Sequence, residues 1–145
     1  MNGMTSIVKE IARLIAGFIF LYGCYIILYG HLSPGGGFAG GAVIAAGFIL
    51  SRLAFGTSAK QEKNSSISSS IFESLGGLSF LLIGLLGLFV GGVFFLNLFP
   101  KAGIAGQLLS AGSIPLLNIA IGLKVAGAIL SIFVVLASTK YLFKE

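Results

Sequence analysis

The sequence has few charged residues, and this scarcity decides the class of protein. Only 9% of the 145 residues are charged, whereas soluble domains average about 25%. No charged residue occurs between positions 14 and 51 or between positions 74 and 100. Because a membrane-spanning helix needs about 20 mostly apolar residues, these two stretches are long enough for three spans. A soluble globular domain is excluded, and an integral membrane protein is predicted.

Cysteine, histidine and acidic residues are also scarce. Cys24 is the single cysteine, which excludes an internal disulfide, and we expect a buried thiol. With one cysteine and one histidine in the sequence, we expect no metal site and no redox cofactor. None of the acidic residues is predicted to lie in the middle of a span; they are Glu10, Glu62, Glu73 and Glu145. Since hard cations favour carboxylate ligands, we do not expect a complete sodium pathway within this chain alone.

The apolar stretches and the turn residues between them predict four transmembrane helices in a single domain, residues 1–145. The predicted helices cover residues 7–29, 38–55, 71–99 and 114–143. A Gly/Pro-rich turn separates the first two, and a serine-rich linker, residues 56–70, is predicted to be flexible. Ser113 and Pro115 are typical of a helix start. The predicted fold is therefore an all-α membrane protein.

The basic residues predict the orientation of the helices. If both termini lie on one side, that side holds seven lysines and arginines, namely Lys9, Arg13, Arg52, Lys60, Lys63, Lys140 and Lys144. The opposite side holds Lys101 alone. Cytoplasmic loops carry the excess of basic residues, so both termini and the linker 56–70 are predicted to be cytoplasmic. We expect a multi-pass protein of the cell membrane.

Lys124 is the most unusual residue because it falls within the last apolar helix. At 1.5 Å per residue it lies about 16 Å from a start near Ser113, close to the middle of the bilayer. A cation at that depth costs at least about 3 kcal/mol. An ammonium buried away from opposite charge gives up its proton more readily, so Lys124 is a candidate proton carrier. The alternative is a structural cation bonded to carbonyls, and a carboxylate partner is expected from another subunit.

The turn at residues 31–37 holds the single histidine and a run of glycines. His31 is a candidate proton relay, with a hydrogen-bonding anchor at the membrane interface as the alternative. Glycines four residues apart let helix backbones approach closely, either for general packing or for docking helices of other subunits. The residues predicted to serve the turn and the packing are Pro34, Gly35, Gly36, Gly37, Phe38, Gly40, Gly41, Gly87 and Gly91.

Residues 30–41, Gly-His-Leu-Ser-Pro-Gly-Gly-Gly-Phe-Ala-Gly-Gly, resemble the signature of the MnhB/MrpB family. Members are B subunits of multisubunit Mrp-type sodium/proton antiporters, and related modules occur in membrane-bound hydrogenase and sulfur-reducing respiratory complexes. The stretch Ile-Gly-Leu-Lys-Val at 121–125, the length and the four-helix plan are also similar to this family. Ala39 departs from the pattern, because many members have a larger polar residue there.

The resemblance implies a non-enzymatic subunit of a cation/proton antiporter module, with other antiporter subunits as partners and Na⁺ and H⁺ as transported ions. Lys124 and His31 are the candidates for the ion and proton path, and no nucleic acid partner is expected. The parent complex is either a stand-alone antiporter or a respiratory complex. Two alternatives remain: a purely structural subunit that bridges antiporter-like subunits, and a small homo-oligomeric channel or transporter. The lack of a predicted mid-membrane carboxylate argues against the second alternative.

Overall fold

Each apolar stretch of the sequence forms a helix in the computed structural model, which describes residues 4–56, 59–98, 106 and 110–142. These residues form α1 (Ser6–Leu28), α2 (Gly36–Phe55), α3 (Ala59–Gly91) and α4 (Ile114–Leu142), with no strand among them. Each helix contains a segment long and apolar enough to cross a membrane. The prediction of an all-α membrane protein with four potential spans is therefore confirmed. The side of the membrane that the termini face stays a prediction.

The third helix departs most from its predicted bounds. It begins at Ala59 and ends at Gly91, so most of the segment predicted as a flexible linker is helical. Glutamine, glutamate and lysine in this segment are good helix formers. In addition, Ser69 is only 2% exposed, because it packs against α4 and accepts a 3.0 Å hydrogen bond from the Ser131 hydroxyl. Contact with α4 therefore holds this polar segment in a helix.

The turn between α1 and α2 depends on two consecutive glycines. The carbonyl oxygen of Tyr29 accepts bonds from the backbone N–H of Ser33 at 2.9 Å and from its hydroxyl at 3.0 Å, which closes the end of α1. Gly35 and Gly36 then adopt φ angles of 118° and 56°, in the left-handed region that residues with a Cβ rarely enter. The chain thereby reverses, and α2 starts two residues earlier than predicted.

α4 is the central helix of the bundle. α1 runs antiparallel to α2, α2 runs parallel to α4, and α3 runs antiparallel to α4, so the spatial order is α1, α2, α4, α3. Within the described helices, α3 contacts α4 alone. α2 and α3 therefore stand apart, and a groove of about 580 Å³ lies between them over α4.

Glycines allow α2 to contact helices on two sides. A Cβ built on Gly40 would lie 2.9 Å from the carbonyl oxygen of Gly23 in α1. One built on Gly41 would lie 2.6 Å from the carbonyl oxygen of Gly122 in α4. Since real Cβ atoms do not approach backbone this closely, any larger residue would push the helices apart. Both predicted packing glycines thus contact helices of the same chain.

The other predicted glycine pair contacts the segment that follows α3. Gly87 and Gly91 lie against Leu96, in a stretch that folds back along the end of α3. In this stretch Phe95 has a φ of 60°, and its ring lies 5.0 Å from the ring of Phe80. The fold-back explains why α3 ends at Gly91 rather than near residue 99.

Much of the apolar surface of the described helices remains exposed. Phe89 is 83% exposed, Ile7 74% and Leu21 72%. Cys24 is exposed on α1, so the expectation of a buried thiol is wrong. Contiguous apolar surface of this extent marks contact with lipid or with other proteins.

Candidate functional site

Lys124 lies at the middle of the α4 span. It follows Ile114 by ten residues, or about 15 Å, within a candidate span of Ile114–Ala137. The side chain is exposed and borders a recess of about 460 Å³. The other residues around this recess come from α3 and α4; they are Gly76, Gly77, Phe80, Leu81, Ala120 and Ile121. The ammonium group thus lies in apolar surroundings.

Two glycines bring the α3 backbone against Lys124. A Cβ on Gly76 would lie 2.5 Å from the backbone nitrogen of Lys124 and 2.8 Å from the carbonyl oxygen of Ala120. A Cβ on Gly77 would lie 3.7 Å from Nζ of Lys124. The lysine side chain therefore extends along a strip of α3 that carries no side chain. Among the described residues, no carboxylate oxygen lies within 4.0 Å of Nζ.

α3 also places a carboxylate within its span. Glu73 follows Asn64, the first residue of the candidate span, by nine residues, or about 14 Å. It is half-buried against α4, where a Cβ on Gly127 would lie 2.6 Å from the Glu73 backbone nitrogen. A helix starting near residue 71 would put Glu73 at its end, whereas α3 begins at Ala59 and places Glu73 within the candidate span. That no acidic residue lies in the middle of the membrane stays a prediction.

Two serines lie next to Glu73, on the side of the N-terminal end of α3. The Ser131 hydroxyl donates to Ser69 Oγ over 3.0 Å, and the Ser69 hydroxyl donates to the carbonyl oxygen of Ser66 over 3.0 Å. Together these residues define the α3–α4 seam, which comprises Ser69, Glu73, Gly76, Lys124, Gly127 and Ser131. It combines a carboxylate, an amine and hydroxyls, all groups that can exchange or relay protons.

A second polar group lies at the turn between α1 and α2. Asn118 of α4 faces its glycines: a Cβ on Gly30 would lie 2.7 Å from Asn118 Nδ2, and one on Gly36 would lie 3.4 Å from Oδ1. Nδ2 is buried and has no hydrogen-bond partner among the described residues. His31 is half-buried in the same turn. Lys124 lies six residues beyond Asn118, about 9 Å along α4.

The structure therefore separates the two residues predicted for the ion path. Lys124 belongs to the α3–α4 seam, whereas His31 belongs to the turn and does not border the lysine recess. Sequence reasoning missed Asn118, although an amide six residues before Lys124 in an otherwise apolar helix was a readable signal. It also missed the placement of Glu73, which depends on where α3 begins.

The remaining predicted turn residues differ in burial. Pro34 and Gly35 are exposed, and Phe38 is 66% exposed, whereas Gly37 is buried against Asn118. Within the described ranges, His, Cys, Asp and Glu side chains form no group of three or more that could hold a metal ion.

Four potential spans, broad apolar surface and a cation at mid-span define a multi-pass membrane protein whose faces contact other membrane components. Residues 7–131 match the model of the family described as a domain related to the MnhB subunit of Na⁺/H⁺ antiporters. The match covers most of the chain, and the chain belongs to this family. The resemblance found in the sequence is thus confirmed.

Individual relatives are similar over different lengths. A protein of Methanocaldococcus jannaschii, MJ1307, is 36% identical over 97% of this chain and 55% of its own length. The protein named antiporter subunit mnhB2 of Staphylococcus saprophyticus is 39% identical over 34% of this chain and 35% of its own length.

A chain in the structure of the membrane-bound sulfane sulfur reductase, an archaeal respiratory membrane complex, matches with a TM-score of 0.70 and 35% identity. That match covers 89% of this chain and 56% of the other. The chain therefore spans about half the length of MJ1307 and of the matching reductase chain. Its relatives include subunits of antiporters and of a respiratory complex, which are assemblies of several membrane chains.

Proposed function

We propose that this chain is an integral membrane subunit of a multisubunit cation/proton antiporter module and that Lys124 lies on its proton path. The observation that carries the proposal is an exposed ammonium group at mid-span, in a family related to antiporter subunits. The subunit carries out no covalent chemistry. Its partners are other antiporter subunits, and Na⁺ and H⁺ are the exchanged ions. The parent assembly is an antiporter or a respiratory complex with an antiporter part.

The cost of the charge supports a role for Lys124. A lysine at the centre of a span costs at least about 3 kcal/mol, and one that faced lipid would gain nothing in return. The strip at Gly76 and Gly77 leaves the side chain open toward the outside of the bundle. In the assembled complex this face is covered by another subunit or by a hydrated cavity. A lysine in such a place can lose and regain a proton, which an arginine does not.

His31 is proposed to act at the other end of the same path. It lies in the turn beside Asn118, and Asn118 lies about 9 Å from Lys124 along α4. The buried amide nitrogen of Asn118 has no hydrogen-bond partner among the residues that the structure describes, so a water molecule would bind there. A hydrated route from the turn to Lys124 would therefore pass Asn118. The predicted orientation places this turn outside and the termini and residues 56–70 in the cytoplasm.

Substitution of Lys124 tests the proposal in membrane vesicles that contain the whole complex. Lys124→Ala is expected to abolish or strongly reduce Na⁺-driven proton exchange while the complex stays assembled. Lys124→Arg keeps the charge but not the titration, so it is expected to fail as well. Leu123→Ala is the matched control, because it shortens the adjacent side chain without removing charge. Partial rescue by arginine would indicate a fixed charge paired with a partner carboxylate.

A bridging role is the second candidate, and the exposed apolar surface on all four described helices favours it. Such a subunit would hold neighbouring antiporter subunits together without carrying protons. In that case the complex with Lys124→Ala would still contain the subunit and would exchange ions at the parental rate. This result would contradict the proton-path proposal and leave the bridging role.

A further inference from the structure

We infer that Glu73 is a second proton-carrying group, which passes protons between the Arg52 end of the bundle and Lys124. The inference rests on the proposed function, since it requires that Lys124 gains and loses protons during exchange. It goes beyond that function by assigning a carboxylate of this same chain to the path.

The depth of Glu73 follows from its neighbours. Gly41 of α2 lies against Gly122 of the parallel helix α4, so Arg52, eleven residues further, is level with about residue 133 of α4. Because Ser131 of α4 bonds Ser69 of α3, Arg52 lies near the level of Ser68. An arginine at the end of a span marks the headgroup region. Glu73 lies five residues beyond Ser68, about 8 Å deeper along α3. It is therefore inside the apolar layer, where an ionisable residue is costly and marks a functional site by default.

Glu73 and Lys124 lie on the same seam, about one helical turn apart. Gly127, three residues after Lys124, lies against the Glu73 backbone. Gly77, four residues after Glu73 and on its face of α3, is the position whose Cβ would lie 3.7 Å from Lys124 Nζ. Since α3 contacts α4 alone, Lys124 is the titratable side chain that faces Glu73 across the described part of the bundle.

The hydroxyl pair supplies the next polar group toward the Arg52 end. Ser69 precedes Glu73 by four residues, on the same face of α3, and its Oγ accepts a hydrogen bond from Ser131. Hydroxyl groups both donate and accept, so they can order water beside the carboxylate. The order along the seam is therefore the serine pair, Glu73 and Lys124.

The proposed transfer conserves charge within the seam. A proton leaves the Glu73 carboxyl group and binds the neutral amine of Lys124 through a water molecule between the two side chains. A carboxylate and an ammonium replace a carboxylic acid and an amine, and the sum of their charges stays at zero. Glu73 then takes up a proton from the serine side, while Lys124 releases its own toward the opposite side.

The test uses vesicles that contain the whole complex and measures Na⁺-driven proton exchange across a pH series. Glu73→Gln keeps the size of the side chain and removes its titration, so we expect a loss of roughly tenfold or more with the complex intact. Glu73→Asp keeps a carboxyl group, so we expect partial rescue with a displaced pH profile. Ser74→Ala, at the adjacent exposed position of α3, is the matched control.

Comparison with Lys124→Ala separates failure of this inference from failure of the proposed function. Parental exchange in Glu73→Gln, together with loss in Lys124→Ala, would overturn the role of Glu73 alone. Parental exchange in Lys124→Ala would overturn both. Loss in Glu73→Gln without a displaced pH profile in Glu73→Asp would indicate a structural side chain and overturn the carrier role. The expected result is a loss of exchange in both Glu73→Gln and Lys124→Ala, together with a displaced pH profile in Glu73→Asp.

Discussion

Gly76→Ala is expected to separate α3 from α4, because α3 packs on Lys124 through this residue. The added Cβ would lie 2.5 Å from the Lys124 backbone nitrogen, about 0.9 Å short of the 3.4 Å at which ordinary contact begins. The atoms it meets belong to the backbone of a central helix, so they cannot rotate away. Overpacking of this kind costs about 1–3 kcal/mol. α3 is therefore expected to move outward by about 0.9 Å.

A disulfide across the seam measures this displacement in the full chain. The Ser69 and Ser131 hydroxyl oxygens are 3.0 Å apart, so cysteines at these positions are expected to cross-link on mild oxidation. Cys24, which is exposed, is first replaced by serine. At a cost of about 1–3 kcal/mol, Gly76→Ala is expected to lower the yield of a short oxidation pulse by roughly 5- to 150-fold. Gly17→Ala is the control, since its Cβ meets nothing within 4 Å.

Equal cross-linking in Gly76→Ala and Gly17→Ala would refute this reasoning. It would mean that α3 and α4 do not make their closest approach at Gly76. The position of Lys124 against α3 would then be wrong, and the seam that supports the role of Glu73 would be lost with it. The melting temperature of the purified complex is a second measurement, and a drop in Gly76→Ala relative to Gly17→Ala supports the same steric cause.

Three further predictions concern topology and packing. With Cys24 replaced by serine, a membrane-impermeant thiol reagent is expected to label a cysteine at position 110 from outside. A cysteine at position 64 is expected to react only after the membrane is opened. The reverse pattern would contradict the predicted orientation. Gly41→Val is expected to impair assembly of the complex, because its Cβ would lie 2.6 Å from the carbonyl oxygen of Gly122 in α4. Assembly equal to the parent would exclude this contact. Asn97→Ala removes the side-chain oxygen that accepts a 3.0 Å bond from the backbone N–H of Ser113, the residue before α4. We expect a loss of about 1 kcal/mol, measured as a lower melting temperature of the complex, with Asn97→Asp close to the parent.

The number of helices could be predicted because charge is distributed so unevenly in this sequence. α1, α2 and the start of α4 follow from apolar runs that end at glycine, proline or arginine, which are local signals. The start of α3 could not be predicted in this way. Residues 59–70 have the composition of a flexible linker, and what keeps them helical is contact with α4, as in the burial of Ser69. Such contacts join residues far apart in sequence.

In the candidate site, too, local features could be predicted and contacts between distant residues could not. Lys124 could be identified, because a single charge in an apolar run is visible without a structure. Its surroundings could not be predicted, because the backbone that packs against it belongs to Gly76 of another helix, α3. Glu73 was overlooked because its depth depends on the start of its helix. Asn118 was overlooked because the turn that it faces, around Gly30 and Gly36, is distant in the sequence.

Because α3 contacts a single described helix, the bundle consists of a three-helix group and one peripheral helix. α1, α2 and α4 contact one another, whereas within the described helices α3 contacts α4 alone. A displacement of α3 would therefore leave the contacts among the other three helices unchanged. A push from a neighbouring subunit on α3 reaches the glycine turn only through α4, because the described helices offer no other route. The stretch of α4 that receives this push is the one that carries Lys124. A force on α3 would therefore change the environment of Lys124 before it reached any other part of the described bundle.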